Sequence, residues 1–247
     1  MAAVTAKGTT VLENCAREPE ILELCMFLIK MGAVIRNVGG RTLVIEGKER
    51  LFPCEYELGA DRICGGTYLA AAVIAGGEIA VSGVWPEALR EPLRGMERMG
   101  ARVSVDERNR EIRLAMSERP RPVMLATGPY PDFPTDLQSP FLAAASVAAG
   151  VSRIEENVFD ARFKTAGELR KLGAKIHIRG RTAHVTGNWP LMPALVESPD
   201  LRGGAALVLA ALAADGESLV GGCEHIARGY EDIVRDLCEL GAEVSWV

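Results

Sequence analysis

The sequence predicts an α/β fold made of four related modules, each combining amphipathic helices with short strands. The stretches "KMGAVI", "RMGARV", "KLGAKI" and "ELGAEV" place glycines at 32, 100, 173 and 241, at spacings of 68, 73 and 68 residues. Each glycine follows a helical pattern and precedes β-branched or alternating residues, the signature of a left-handed helix stop that feeds a strand. Three alanine-rich segments, headed by Asp61, Asp136 and Asp200 and each closed by a glycine, recur between those stops. A period near 70 residues exceeds the common solenoid units, so the module is a two-helix unit of its own.

Along the chain, "GTTVLEN" reads as a strand, and Ile21, Leu24, Cys25 and Leu28 fall at helical spacing to define a helix that Gly32 ends. "AVIRNV" and "TLVIEG" follow as strands. The second module opens with the helix "DRICGGTYLAAAVIAGG" and continues through the strand "EIAVSG", a helix ending at Gly100, and the strands "ARVSV" and "EIRLAM". The third repeats that order with "DLQSPFLAAASVAAG", "VSRIEEN", a helix ending at Gly173, "AKIHI" and "TAHVTG". The fourth runs through "DLRGGAALVLAALAADG" and "ESLVGG" to a helix carrying Ile233, Leu237 and Leu240 on one face, and "AEVSWV" is its expected last strand.

The first module lacks an Asp-headed helix, and the last lacks a counterpart of "TAHVTG". Two domains are therefore expected. Residues 1–60 form an incomplete repeat belonging to another, N-terminal domain, and residues 61–247 form three modules around a pseudo-threefold axis with the thin alanine-rich helices at its centre. The chain is expected to be the C-terminal part of a longer protein, or half of a two-chain assembly.

With 247 residues, 48% hydrophobic and 25% charged, the chain can bury one large or two small cores. Its net charge of −5 argues against nonspecific nucleic-acid binding. The longest apolar run, Ala205 to Ala214, is far short of the roughly 20 residues of a membrane span, and the N-terminus has no apolar signal region, so a cytoplasmic protein without a membrane partner is expected. Six cysteines without a CxxC pair and three scattered histidines outline no disulfide framework and no metal site.

Three helix N-termini on one side of a pseudo-threefold domain would favour an anionic ligand, because free N–H groups and the helix dipole point outward there. Asp61, Asp136 and Asp200 stand where helix caps stand, so capping is their plainest role. Asp136 differs in its setting. The two prolines and threonine of "YPDFPTD" stiffen its loop beyond what a cap needs, which suits a positioned general base. Arg62, Arg202 and Arg228 accompany the helix starts. A guanidinium there is either a solvated charge or a two-point anion ligand, and the pairing of Arg202 with Arg228 in one module favours the ligand.

The stretches "REPEI", "ADRICGGTYLAAA", "YPDFPTDLQSPF", "DLRGGAALVLAALAADG" and "HIARGYEDIVRDLCELGAEV" resemble the UDP-N-acetylglucosamine 1-carboxyvinyltransferases, a family of enolpyruvyl transferases, along essentially the whole chain. The resemblance implies an inside-out α/β barrel fold, in two domains of three repeats each with substrates in the cleft between them. It also implies that an N-terminal half, absent here, completes the second domain. The implied reaction transfers the enolpyruvyl group of phosphoenolpyruvate to the 3-hydroxyl of UDP-N-acetylglucosamine with release of phosphate, an early step of peptidoglycan synthesis that needs no cofactor or metal. By the resemblance Asp136 is sugar ligand and general base, and Val158 contacts the UDP-sugar through its main chain. Asp200 and Arg202 match the family's "DLR" catalytic pair, and Arg228 closes on phosphoenolpyruvate. Arg162 joins the substrate site, and Glu18, Glu20 and Asp61 match acidic positions near the domain junction. The sequence departs from the family at Ala60, Cys64, Thr165 and Ala227. Two further readings stand beside this one: a non-catalytic UDP-sugar-binding or regulatory paralogue, and the related 3-phosphoshikimate enolpyruvyl transferase.

Overall fold

All four stop glycines adopt left-handed backbone, at φ +97° for Gly32, +105° for Gly100, +86° for Gly173 and +94° for Gly241. The alanine after each donates its N–H to the carbonyl five residues back: Ala33 to Leu28 at 3.0 Å, Ala101 to Met96 at 3.0 Å, Ala174 to Leu169 at 3.0 Å and Ala242 to Leu237 at 2.9 Å. This is the Schellman arrangement, which satisfies carbonyls a helix end would otherwise leave open. One local device is thus used four times.

A computed structural model describes residues 1–247. The chain divides into two compact units, Met1–Gly59 with Pro129–Asp132, and Ala60–Gly128 with Phe133–Val247. In the smaller unit, β1 (Thr9–Leu12), α1 (Pro19–Lys30), β2 (Val34–Arg36) and β3 (Leu43–Glu46) form a helix on an antiparallel sheet of order β1-β3-β2. Cys25 and Leu28 of the helix pack with Ile35, Leu43 and Ile45 of the sheet, as the helical and two-residue periods dictate.

The larger unit repeats the pattern. Its first module holds α2 (Arg62–Ala75), β4 (Gly77–Ser82), α3 (Arg90–Arg98), β5 (Arg102–Asp106) and β6 (Glu111–Met116), with sheet order β4-β6-β5. The next holds β7 (Met124–Ala126), α4 (Gln138–Val147), β8 (Val151–Glu155), α5 (Thr165–Lys171), β9 (Lys175–Arg179) and β10 (Thr182–Thr186). Here β8-β10-β9 keeps the same order, and β7 adds in parallel to the outer edge of β8. The last holds β11 (Leu195–Glu197), α6 (Leu201–Ala211), β12 (Leu219–Gly221), α7 (Cys223–Ile226) and α8 (Ile233–Glu239). Helices α2, α4 and α6 pack on one another, and every residue of α4 is buried. Alanines at 70 to 72, 143 to 145, 205, 206 and 210 are buried in the core these helices share, and their small side chains let the helices approach closely. This is an α/β architecture with helices inside.

Residues 242–247 do not form the expected strand. In the other modules the strand after the stop glycine pairs with the next strand of the chain, β2 with β3, β5 with β6 and β9 with β10. "AEVSWV" has no such partner, and an extended segment without a ladder is not a strand. For the same reason β12 pairs only with β11, in a two-stranded parallel sheet.

Candidate functional site

The loop before α4 is fixed from both sides. Phe133 is buried edge-on against Phe141, with ring centroids 4.8 Å apart. Thr135 donates its hydroxyl to Glu156 Oε2 at 2.9 Å. Asp136 then falls inside the tight 3₁₀ turn Thr135–Leu137, whose carboxylate caps nothing; α4 starts only at Gln138, with Leu137 in the cap position. The expectation that Asp136 caps the alanine-rich helix is therefore corrected: the extra turn made by the proline loop moves the cap position one residue on, from Asp136 to Leu137. Its carboxylate is free for other work.

That work is shared with two arginines. Arg162 Nη2 donates to Asp136 Oδ1 at 3.1 Å and Arg202 Nε donates to the same oxygen at 3.3 Å. Arg162 stands at the start of the 3₁₀ turn before α5, and Arg202 lies in the first turn of α6. Both guanidinium groups are mostly buried, with side chains 21% and 15% exposed, against 41% for Asp136. Each rests on a ring, Arg162 5.2 Å from the Phe159 centroid and Arg202 5.9 Å from that of Tyr230. Arg162 Nε and Arg202 Nη1 are buried without a partner. One carboxylate thus faces two cations that still hold unused donors, the chemistry of an anion subsite.

Burial works against the Arg202 charge, yet Tyr230 and Asp136 beside it hold its guanidinium above the usual arginine value. The Tyr230 hydroxyl, pushed up by burial, lies 2.8 Å from Thr67 Oγ1, and that threonine donates to the Ile63 carbonyl at 2.8 Å. Nearby, burial and then the Asp61 carboxylate push the Cys64 thiol up to about 11, and its sulfur lies 3.6 Å from the Gly229 carbonyl.

The other sequence-predicted residues separate by role. Asp61 caps α2 by accepting from Ile63 N at 2.7 Å and Cys64 N at 3.1 Å, and Asp200 caps α6 by accepting from Gly203 N at 2.8 Å. Val158 is part-exposed, with its N–H held by Glu156 Oε1 at 2.8 Å. Arg228 is exposed in the turn between α7 and α8 and forms no ion pair, so the structure does not join it to Arg202. Glu18 and Glu20 belong to the smaller unit, where Glu18 stands at the cap position of α1 and Glu20 in its first turn. No group of three or more His, Cys, Asp or Glu side chains is placed to hold a metal ion.

Sequence reasoning missed Glu156. Its side chain is 1% exposed and accepts from Thr135, Val158 and Phe159. The signal was there: Ser152, Ile154 and Glu156 alternate inward along and just beyond β8, so a charged residue stands at a core-facing position.

Residues 1–237 match the family described as EPSP synthase (3-phosphoshikimate 1-carboxyvinyltransferase). Curated relatives named UDP-N-acetylglucosamine 1-carboxyvinyltransferase include one from Psychrobacter sp. (strain PRwf-1), 42% identical over 100% of this chain and 57% of its own length. Another, from Acinetobacter guillouiae, is 45% identical over 100% of this chain and 58% of its own length. The chain thus spans well under two thirds of the relatives it matches. Among solved structures, the enolpyruvyl transferase NikO from Streptomyces tendae superposes with a TM-score of 0.87 at 31% identity, over 98% of this chain and 57% of that one. EPSP synthase from Acinetobacter baumannii, with a TM-score of 0.74 at 18% identity over 99% of this chain and 60% of its own, shares the fold.

Proposed function

The chain belongs to the EPSP synthase family of enolpyruvyl transferases, and from that premise we propose that it carries one part of a site that transfers enolpyruvate from phosphoenolpyruvate to the 3-hydroxyl of UDP-N-acetylglucosamine. The substrate assignment rests on curated relatives at 42% and 45% identity that bear the amino-sugar enzyme's name. In this reaction the hydroxyl oxygen bonds to C2 of phosphoenolpyruvate while C3 gains a proton. Phosphate then leaves C2, and C3 loses a proton to restore the double bond. The product would be a peptidoglycan precursor made in the cytoplasm; no helix of the chain is long and apolar enough to cross a membrane.

One observation carries the reading. Both arginines engage Asp136 through the same oxygen, Oδ1, and the half-exposed carboxylate keeps Oδ2 clear of them. Oδ2 is then the atom that receives the sugar hydroxyl and takes its proton, while the cations hold the carboxylate in place. The guanidinium groups of Arg162 and Arg202, both held on Asp136, supply positive charge beside that oxygen for the negative charge that phosphoenolpyruvate and the diphosphate bring. Arg228, exposed and unpaired, is a second ligand for that charge, and Asp200 fixes the helix start that presents Arg202. Val158 offers main-chain contact to the nucleotide sugar. The remaining groups, including the acid that protonates C3, are assigned to a part of the protein outside residues 1–247.

Calorimetric titration of UDP-N-acetylglucosamine into the chain tests the binding half of this reading. The wild type binds and Asp136→Asn binds at least about tenfold more weakly, the loss expected for one charged hydrogen bond. Tighter binding of 3-phosphoshikimate than of the sugar nucleotide would instead assign the chain to the sister reaction. Phosphate release on adding the rest of a family member tests turnover. Its absence in a demonstrated complex would leave a sugar-nucleotide-binding module, a reading favoured by Thr165, whose buried hydroxyl has no partner beside α6.

A further inference from the structure

We infer that Glu156 is a positioning residue that sets the geometry of the Asp136–Arg162 pair. The inference deepens the functional reading above and rests on it for what the pair does. Three donors converge on the buried carboxylate: Thr135 Oγ1 at 2.9 Å on Oε2, and the N–H groups of Val158 at 2.8 Å and Phe159 at 2.9 Å on Oε1. Thr135 is the residue before Asp136. Phe159 carries the ring on which the Arg162 guanidinium rests, 5.2 Å from its centroid. Arg162 in turn donates to Asp136 Oδ1 at 3.1 Å. The contacts therefore close a circuit from Glu156 through Thr135 and Asp136 to Arg162, Phe159 and back.

The main chain of Glu156 is held as well. Its N–H donates to the Arg181 carbonyl at 2.8 Å and its carbonyl accepts from Arg181 Nε at 2.7 Å. The end of β8 is thus fixed, and the side chain reaches from this fixed point to the two loops that bear the pair. An ionised carboxylate accepting three hydrogen bonds out of water holds its donors more firmly than a neutral acceptor would. Glutamine can keep Val158 and Phe159 on its carbonyl oxygen and turn its amide toward the Thr135 oxygen. Alanine can do neither, and leaves the buried Thr135 hydroxyl and the part-buried Val158 and Phe159 N–H groups open.

The test uses the full 247-residue chain with Glu156→Ala, Glu156→Gln and Thr135→Val. Three quantities are read: thermal unfolding, UDP-N-acetylglucosamine affinity by calorimetry, and the Arg162 Nε–H resonance in ligand-free protein. Glu156→Ala is expected to displace or broaden that resonance and to weaken binding by about tenfold or more, whereas Glu156→Gln stays within about threefold of wild type. A purely structural glutamate would lower the melting temperature of the alanine variant and leave both the resonance and the affinity of the folded protein unchanged; that result overturns the inference. Should Glu156→Ala fail to fold, Thr135→Val decides, since it removes a single bond of the circuit, and an unmoved resonance overturns the inference there too. A wild-type chain that binds no sugar nucleotide defeats the substrate reading alone, because the ligand-free resonance still decides the role of Glu156.

Discussion

Asp61, Asp136 and Asp200 look alike in sequence, each before an alanine-rich helix, yet only Asp61 and Asp200 cap. The difference lies in the two prolines before Asp136, which add a turn and point its carboxylate at Arg162 and Arg202. The unusual stiffness of that loop was legible; its arginine partners, brought from 26 and 66 residues further along the chain, were not. Glu156 was legible in principle through strand alternation, but its three donors depend on a loop conformation that no local pattern specifies. Two predictions belong to single side chains. Tyr230→Phe should cost about 1 kcal/mol in urea unfolding, because Thr67 keeps its bond to the Ile63 carbonyl, while Thr67→Val should cost about 2 kcal/mol by leaving the buried Tyr230 hydroxyl proton without its Thr67 acceptor. Cys64, pushed up from 9.0 to about 11, should alkylate at pH 8 about a hundredfold more slowly than a free thiol, as mass spectrometry of the labelled peptide would read. The fold favours its protonated form, so the stability linked to this thiol is complete below pH 9 and declines as the pH rises toward 11.

At the scale of elements, glycine acts in two opposed ways. In α6, a Cβ on Gly204 would stand 2.7 Å from Ile226 Cγ1 and 2.7 Å from Ser198 Oγ, so Gly204→Ala should destabilise by about 1–3 kcal/mol through overpacking. In α5, exposed Gly167 has nothing within 4 Å of its would-be Cβ, and Gly167→Ala should stabilise by about 0.5–1 kcal/mol through helix propensity. Thermal unfolding of the two variants should move in opposite directions. The helices and their stops were readable because they are local: a 3.6-residue apolar period, then a glycine. The strand expected at "AEVSWV" failed because a strand is a property of a pair, and its partner is not in these residues.

For the whole molecule, β12 follows its alanine-rich helix as β4 and β8 follow theirs, but it lacks on its second edge the antiparallel neighbour that β6 gives β4 and β10 gives β8. Leu219 N donates to the Ala194 carbonyl and Ser198 N donates to the Gly221 carbonyl, so strand alternation turns the Val220 amide toward that open edge. Its hydrogen should exchange orders of magnitude faster than that of Ile154 in β8, and should become protected if the rest of a family member supplies the absent strand. Equal protection of both amides in the chain alone would contradict this assignment of the edge. The matched helix stops carry a different consequence, for insertions and deletions. From Gly32, Gly100 and Gly173 the next strand begins at Val34, Arg102 and Lys175, the same short step each time, whereas the hairpin connections that follow span 37–42, 107–110 and 180–181. One residue added at a stop would turn every side chain of the following strand to its opposite face, while one added in a hairpin lengthens only a loop. The molecule has three hairpins where its length can drift and three joints where it cannot.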